Sequence, residues 1–284
     1  MYLPKNISEM KKFLVPTDFS DTSKNAARFA VQATAHIPGA VIILYHVYDK
    51  ISAGSDGTPL HDSDNDKQIV LRTALQSLKE ELGTLSSVAI EVDAEEGGSL
   101  IDTMKKYVRH NAIDMIIMGI TGATRLEQIF MGSNSLNMAR EAVCPVIIVP
   151  PNAKYSQIKN VLFASDFKNV DSTTPKAQLK AVLDVFKPDL HIVNVDVEHY
   201  VELTEEYKVQ RNKLERMFAE YNPQFYFIRL YDFIDAISRF ATDKNIDLIL
   251  TVPRKHGFLT NLFKTSNTKK LAYHSHVPIV AVHE

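Results

Sequence analysis

The chain of 284 residues is 45% hydrophobic and 23% charged, with a formal net charge of -2. It therefore has room for two domains with cores of their own and lacks the basic excess expected of a nucleic-acid binder. The single cysteine, Cys144, excludes an internal disulfide, and no apolar run approaches a membrane span. With a start, Met1 to Lys12, too polar for a signal peptide, a soluble cytoplasmic protein is expected.

In chain order, strands and helices alternate. A first strand is predicted over Phe13–Pro16 and a helix over Ser23–Ala35, with Ala26, Ala27, Ala30 and Ala33 set for close packing. A second strand over Val41–Val47 is followed by a polar stretch, Asp49–Asp66, which reads as a flexible, solvated loop. Its five aspartates lack the spacing and closing glutamate of a calcium loop. A helix over Lys67–Leu82, a strand over Val88–Val92 and a helix over Ser99–His110, with Ser99 as its N-cap, come next. A strand over Ile113–Met118, a helix over Ser133–Ala142 and a strand over Val146–Val149 complete the series. Such alternation predicts a parallel sheet with helices on both faces.

The series then repeats. Val161–Phe167 echoes Phe13–Phe19, Leu190–Val195 echoes Ile42–Val47, and Ile246–Val280 aligns without a gap on Ile113–Ile147. A tandem duplication follows, with domains over residues 10–150 and 157–284 and a boundary in Pro150–Lys154.

The richest chemistry lies in Met118-Gly119-Ile120-Thr121-Gly122, followed by Gly132-Ser133-Asn134-Ser135. Glycines after a strand let bare backbone approach a ligand, and the free amides and positive dipole of a helix start suit an anion. Ser133 and Ser135 add hydroxyls for phosphate, and Ser135 also for magnesium. A simple turn and helix cap would use the same residue types. Elsewhere, His256, His274, His276 and His283 lack partners at metal-ligand spacing, and the pair at 274 and 276 fits a helix end. Lys255, Lys264, Lys269 and Lys270 read as a solvated cationic face, and Cys144 as a small buried hydrophobe.

The motif Gly-x2-Gly-x9-Gly-Ser at Gly119, Gly122, Gly132 and Ser133, together with Val15–Ser20 and His46-Val47, resembles that of the universal stress protein family, in a tandem form covering nearly the whole chain. The resemblance implies two doubly wound α/β domains with strand order 3-2-1-4-5, and ATP, accompanied by magnesium, bound over strands 1, 2 and 4. Family members commonly pair through their fifth strands, which implies that Val146–Val149 and Pro278–Val282 pair within this chain, removing two sheet edges and giving an internal pseudo-dimer; further association into a homodimer stays open. Carried over, it places adenine at Asp18 and the backbone of Val47, with Pro16 and Thr17 in the floor. Gly119, Thr121 and Gly122 would lie along ribose and phosphates, with Met118 also in the nucleotide site, and Gly132, Ser133, Asn134 and Ser135 would take the terminal phosphates. Asn134 stands where an aliphatic residue is common. In the second half Val252, Lys255 and Thr265 replace Gly119, Gly122 and Gly132, so the same pose would clash there.

A nucleotide-dependent stress-response or signalling regulator is thus expected, acting on an unknown protein partner and not as an enzyme. The pyrophosphate loop of adenylating relatives is missing after strand 1, and neither His46 nor Glu127 is identifiable as a general base. A nucleotide-independent interaction scaffold and a slow ATPase remain as alternatives.

Overall fold

The computed structural model describes residues 11–48, 61–120, 133–141, 143–155, 157–196, 205–229, 233–252 and 276–282. In chain order the first half contains β1 (Lys12–Pro16), α1 (Asp21–Thr34), β2 (Val41–Tyr48), α2 (His61–Gly83), β3 (Ala89–Glu96), α3 (Leu100–Asn111), β4 (Met115–Gly119), α4 (Ser133–Arg140) and β5 (Val146–Val149). The second half contains β6 (Asn160–Ala164), α5 (Val170–Thr173), α6 (Lys176–Phe186), β7 (Asp189–Asp196), α7 (Glu205–Met217), β8 (Gln224–Arg229), α8 (Phe233–Asp243), β9 (Leu248–Thr251) and β10 (Ile279–Ala281).

Local chemistry fixes several boundaries. Ser20 caps α1 by accepting the Ser23 N–H at 3.3 Å, and Ser99 caps α3 by accepting that of Asp102 at 3.4 Å. The polar residues His61–Asp66, expected in a loop, instead form the first turns of α2. Asp62, Asp64 and Asp66 are poor helix formers, yet they sit where a helix dipole favours negative charge.

All ten strands form one sheet in the order β3-β2-β1-β4-β5-β10-β9-β6-β7-β8. Each half is parallel and has the predicted 3-2-1-4-5 order, and β5 and β10 join them antiparallel. The duplication persists in the register: Phe13 faces Met115, and their counterparts Val161 and Leu248 also face each other. At the join Val280 faces its own counterpart, Ile147, so a local two-fold axis passes through this pair. The two fifth strands thus pair within the chain, as expected.

Two apolar layers cover the sheet. One packs Phe13, Val15 and Leu44 under α1 and α2, and Val161 and Phe163 under α6 and α7; the other packs Leu14 and Ile116 under α3 and α4, and Leu162 and Ile249 toward α8. Among the described residues no helix is long and apolar enough to cross a membrane.

Candidate functional site

In the first half the strand order reverses at β1, whose neighbours are β2 on one side and β4 on the other. Diverging connections at such a switch point leave a crevice above the carboxyl ends of the strands. A cavity of about 250 Å³ lies there, lined by Pro16 at the end of β1 and Thr17 and Asp18 after it, Tyr45, His46 and Val47 at the end of β2, Met118 and Gly119 at the end of β4, and Asn134 on α4. Ser23 on α1 and Gly97 and Leu100 beyond β3 complete the wall.

The sequence-predicted residues Pro16, Thr17, Asp18, Val47, Met118, Gly119 and Asn134 are therefore brought together. Thr121, Gly122 and Gly132 lie outside the described residues, as do Glu127, Lys255, Thr265 and His256. Ser133 opens α4. Ser135, in the first turn of α4, is not part of the cavity wall: it is fully buried, and its hydroxyl has no hydrogen-bond partner among the described residues.

The turn after β1 is built from hydroxyls and one carboxylate. Asp18 Oδ1 accepts from the Ser20 N–H at 3.0 Å and from Ser20 Oγ at 2.5 Å. Partial burial pushes the Asp18 carboxyl upward, but hydrogen bonds from Ser20, Ser23 and the backbone outweigh it and hold the group below the ordinary carboxylate range. Thr17 Oγ1 lies 3.0 Å from Ser23 Oγ and accepts the Phe19 N–H at 3.0 Å. Phe19 consequently takes φ 64, a conformation costly for an aromatic residue, and its ring lies 5.1 Å from that of His46. His46 Nδ1 is 2.8 Å from the Thr17 carbonyl, which can only accept, so the proton resides on Nδ1.

Sequence reasoning missed Ser23, Tyr45, His46, Gly97 and Leu100 as wall residues. Gly97-Gly98 before the Ser99 cap was the available signal, since it lets the chain fold back from the end of β3. Tyr45 donates to Glu95 Oε2 at 2.6 Å, and burial together with Glu95 pushes its pKa far up, so it remains a protonated wall group.

The profile of the Universal stress protein family matches residues 9–150, half of the chain and the half that holds this cavity. The chain belongs to the universal stress protein family. It is 31% identical over 149 residues to a universal stress protein of Methanocaldococcus jannaschii, covering 49% of this chain and 81% of that protein. A second universal stress protein of that organism is 27% identical over 156 residues, covering 49% of this chain and 94% of the relative. The crystal structure of a universal stress protein from Archaeoglobus fulgidus DSM 4304 superimposes with a TM-score of 0.68 at 21% identity, covering 97% of this chain and 99% of that one, a likeness of fold.

Within this universal stress protein the second half keeps the scaffold of the strand-1 turn. Asp166 Oδ1 accepts the Lys168 N–H at 3.0 Å, Ser165 Oγ accepts the Phe167 N–H at 3.2 Å, and Phe167 has φ 53. Asn194 Nδ2 donates to the Ser165 carbonyl at 3.0 Å, replacing the bond of its counterpart His46.

The space above that turn is used differently. Val252, the counterpart of Gly119, is buried in the core layer with Phe167 and Val170. The helix corresponding to α1 is broken into α5 and α6 at Thr174-Pro175, because a residue before proline avoids helical backbone. Tyr207 on α7 and Phe227 on β8 place their rings 5.4 Å from that of Phe167, and Gln210 accepts the Val170 N–H at 3.0 Å. In this half α7 and β8 therefore pack their side chains against Phe167, the ring that follows the turn.

Proposed function

We propose that the first half binds one adenine nucleotide, ATP with its magnesium, and that occupancy makes the chain a nucleotide-dependent stress-response regulator. The supporting observation is the contrast between halves: the half carrying the glycine motif has a cavity at its strand-order switch point, with Gly119 in its wall, and the other carries a buried valine, Val252, in place of that glycine. In this reading Asp18 accepts from the base amino group, while Val47, Leu100 and Met118 supply apolar walls.

The residues present fit a phosphate as well. Helix α4 begins beside the cavity with Asn134 in its wall, and the amides of its first turn suit an anion; Ser135, whose hydroxyl lacks a partner among the described residues, lies next to Asn134 but outside that wall. Bound, the nucleotide supplies negative charge and a magnesium held by its own phosphates. Among the described residues there is no cluster of three His, Cys, Asp or Glu to hold a metal independently. Asp18 is engaged in its own turn and the His46 proton is directed at a carbonyl. Asp18 is therefore not available as a base, while His46 keeps a basic Nε2, and the reading is a binding protein with at most slow hydrolysis.

Calorimetric titration of nucleotide-stripped protein with Mg-ATP tests this, and one site per chain is expected. Asp18→Ala should weaken ATP more than inorganic triphosphate. Two equivalent sites would contradict the asymmetry. No binding, with no ligand recovered from the purified protein, would replace this reading by the interaction scaffold.

A further inference from the structure

Among the described residues the ten-stranded sheet ends in two outer strands, β3 and β8, which occupy corresponding positions in the two halves. An unpaired edge is a template for further strand addition, and proteins commonly blunt it with charge. Strand β3 is blunted in this way: Glu91, Asp93, Glu95 and Glu96 lie along it, two of them held by tyrosine hydroxyls, Asp93 by Tyr107 at 2.8 Å and Glu95 by Tyr45 at 2.6 Å.

Strand β8 has lost that protection. Its register against β7, His191 facing Gln224, matches that of β3 against β2, Ile43 facing Glu91. The four acidic positions are thereby replaced by Gln224, Tyr226, Ile228 and Arg229. Phe227, where β3 has the buried Ala94, is 38% exposed despite its contacts with Phe167 and Tyr207. Phe225, Tyr226 and Ile228 are half-buried, so both faces of this edge present apolar surface.

Cations flank the same strand on both faces. The Arg211 guanidinium lies 4.6 Å from the centre of the Phe225 ring and 3.8 Å from the Glu215 carboxylate of its own helix, the Lys244 ammonium lies 5.2 Å from the centre of the Tyr226 ring, and Arg229 ends the strand exposed. No acidic residue lies on β8 itself.

We propose that the outer edge of β8 accepts an extended peptide segment of a partner, in which acidic residues alternate with apolar ones, as a further strand of the sheet. Main-chain hydrogen bonds would hold the segment, Phe227 and Ile228 would receive its apolar side chains, and Arg211, Arg229 and Lys244 would face its carboxylates. A second copy joined through its own β8 is disfavoured as occupant, because a two-fold axis at this edge would bring the same three cations together.

The experiment is fluorescence anisotropy of the full-length chain with a labelled, end-capped peptide of the sequence Ala89–Glu96, which has the required alternation. Saturable binding that weakens with added salt is expected, with Arg229→Glu costing roughly fivefold in affinity, the scale of a surface charge pair. Phe227→Asp should abolish binding, and a peptide with lysine at its acidic positions should bind more weakly. Far-UV circular dichroism verifies that Phe227→Asp is folded; Arg229→Glu, at an exposed position, carries the test if it is not. The proposal is overturned by absence of saturable binding at millimolar peptide, by equal affinity for the charge-reversed peptide, or by indifference to both substitutions. Concentration-dependent self-association lost in the same variants would also overturn it, making a second copy the occupant.

Discussion

A β-carbon on Gly119 would stand 2.5 Å from the carbonyl oxygen of Thr22 and 2.9 Å from its carbonyl carbon. The first turn of α1 thus rests directly on the end of β4, and the glycine is required by a helix backbone, which cannot rotate aside. The second half shows the other solution to the same packing problem, with a buried valine at this position and a helix interrupted at Pro175.

From this follows a stability prediction. Gly119→Ala should cost about 2 kcal/mol, within the range for forced overpacking, and Gly119→Val should cost more. Urea denaturation measures it, and an unchanged midpoint for Gly119→Val would show that α1 can move away freely.

Much of the fold was legible because the strands are short apolar runs and the second half reprints the first. The left-handed backbone at Phe19 and Ala112 recurs at Phe167 and Asn245, places where the sequence alone gives no warning for an aromatic or an alanine. The first turns of α2 were hidden by composition, since aspartates disfavour a helix interior but suit its start. For Gly119, the sequence signals that backbone approaches something closely, but not whether that is a phosphate or a helix. Ser135 shares an i, i+3, i+4 stripe with the buried Met138 and Ala139, which is why it faces inward although its residue type suggested an open phosphate contact.

The internal copy also predicts which substitutions are tolerated. Asn194 makes to Ser165 the bond that His46 makes to Thr17, at 3.0 Å and 2.8 Å. His46→Asn should therefore change stability by under about 0.5 kcal/mol, whereas His46→Ala should lose about 1 kcal/mol with the hydrogen bond. Equal losses in denaturant titrations would mean that the contact of the His46 ring with Phe19 dominates.

Asp18 sets a pH dependence. Its folded-state pKa lies below the ordinary value of 3.8, so the stabilisation it provides is fully present above that value and is lost as pH falls through the lowered one. Wild type should lose stability on acidification more steeply than Asp18→Asn in that window, and the two curves should run parallel at neutral pH. Parallel curves throughout the acid limb would show that the Ser20 and Ser23 hydrogen bonds do not favour the charged form.

Cys144 should be inert. Burial, with the negative charge of Asp114 adding to it, pushes its thiol up to about 12, against a smaller opposing hydrogen bond from the Ile116 backbone. At pH 8 the thiolate population is therefore minute, and iodoacetamide should label the folded protein far more slowly than the urea-unfolded chain. Labelling at the unfolded rate would place the sulfur in an open, electropositive setting that the structure does not contain.

Ser135 separates stability from binding. Its hydroxyl is buried without a partner among the described residues, so Ser135→Ala removes an unpaired polar group and adds a better helix former. The nucleotide-free variant should be more stable than wild type by about 1 kcal/mol. Saturating Mg-ATP, which stabilises in proportion to its affinity, should raise the melting temperature of wild type more than that of the variant if the hydroxyl serves a phosphate oxygen. Thermal denaturation with and without Mg-ATP gives both numbers from one pair of proteins. A nucleotide-free variant less stable than wild type would mean that the hydroxyl already has a partner, and an equal ligand-induced shift would remove Ser135 from the phosphate site.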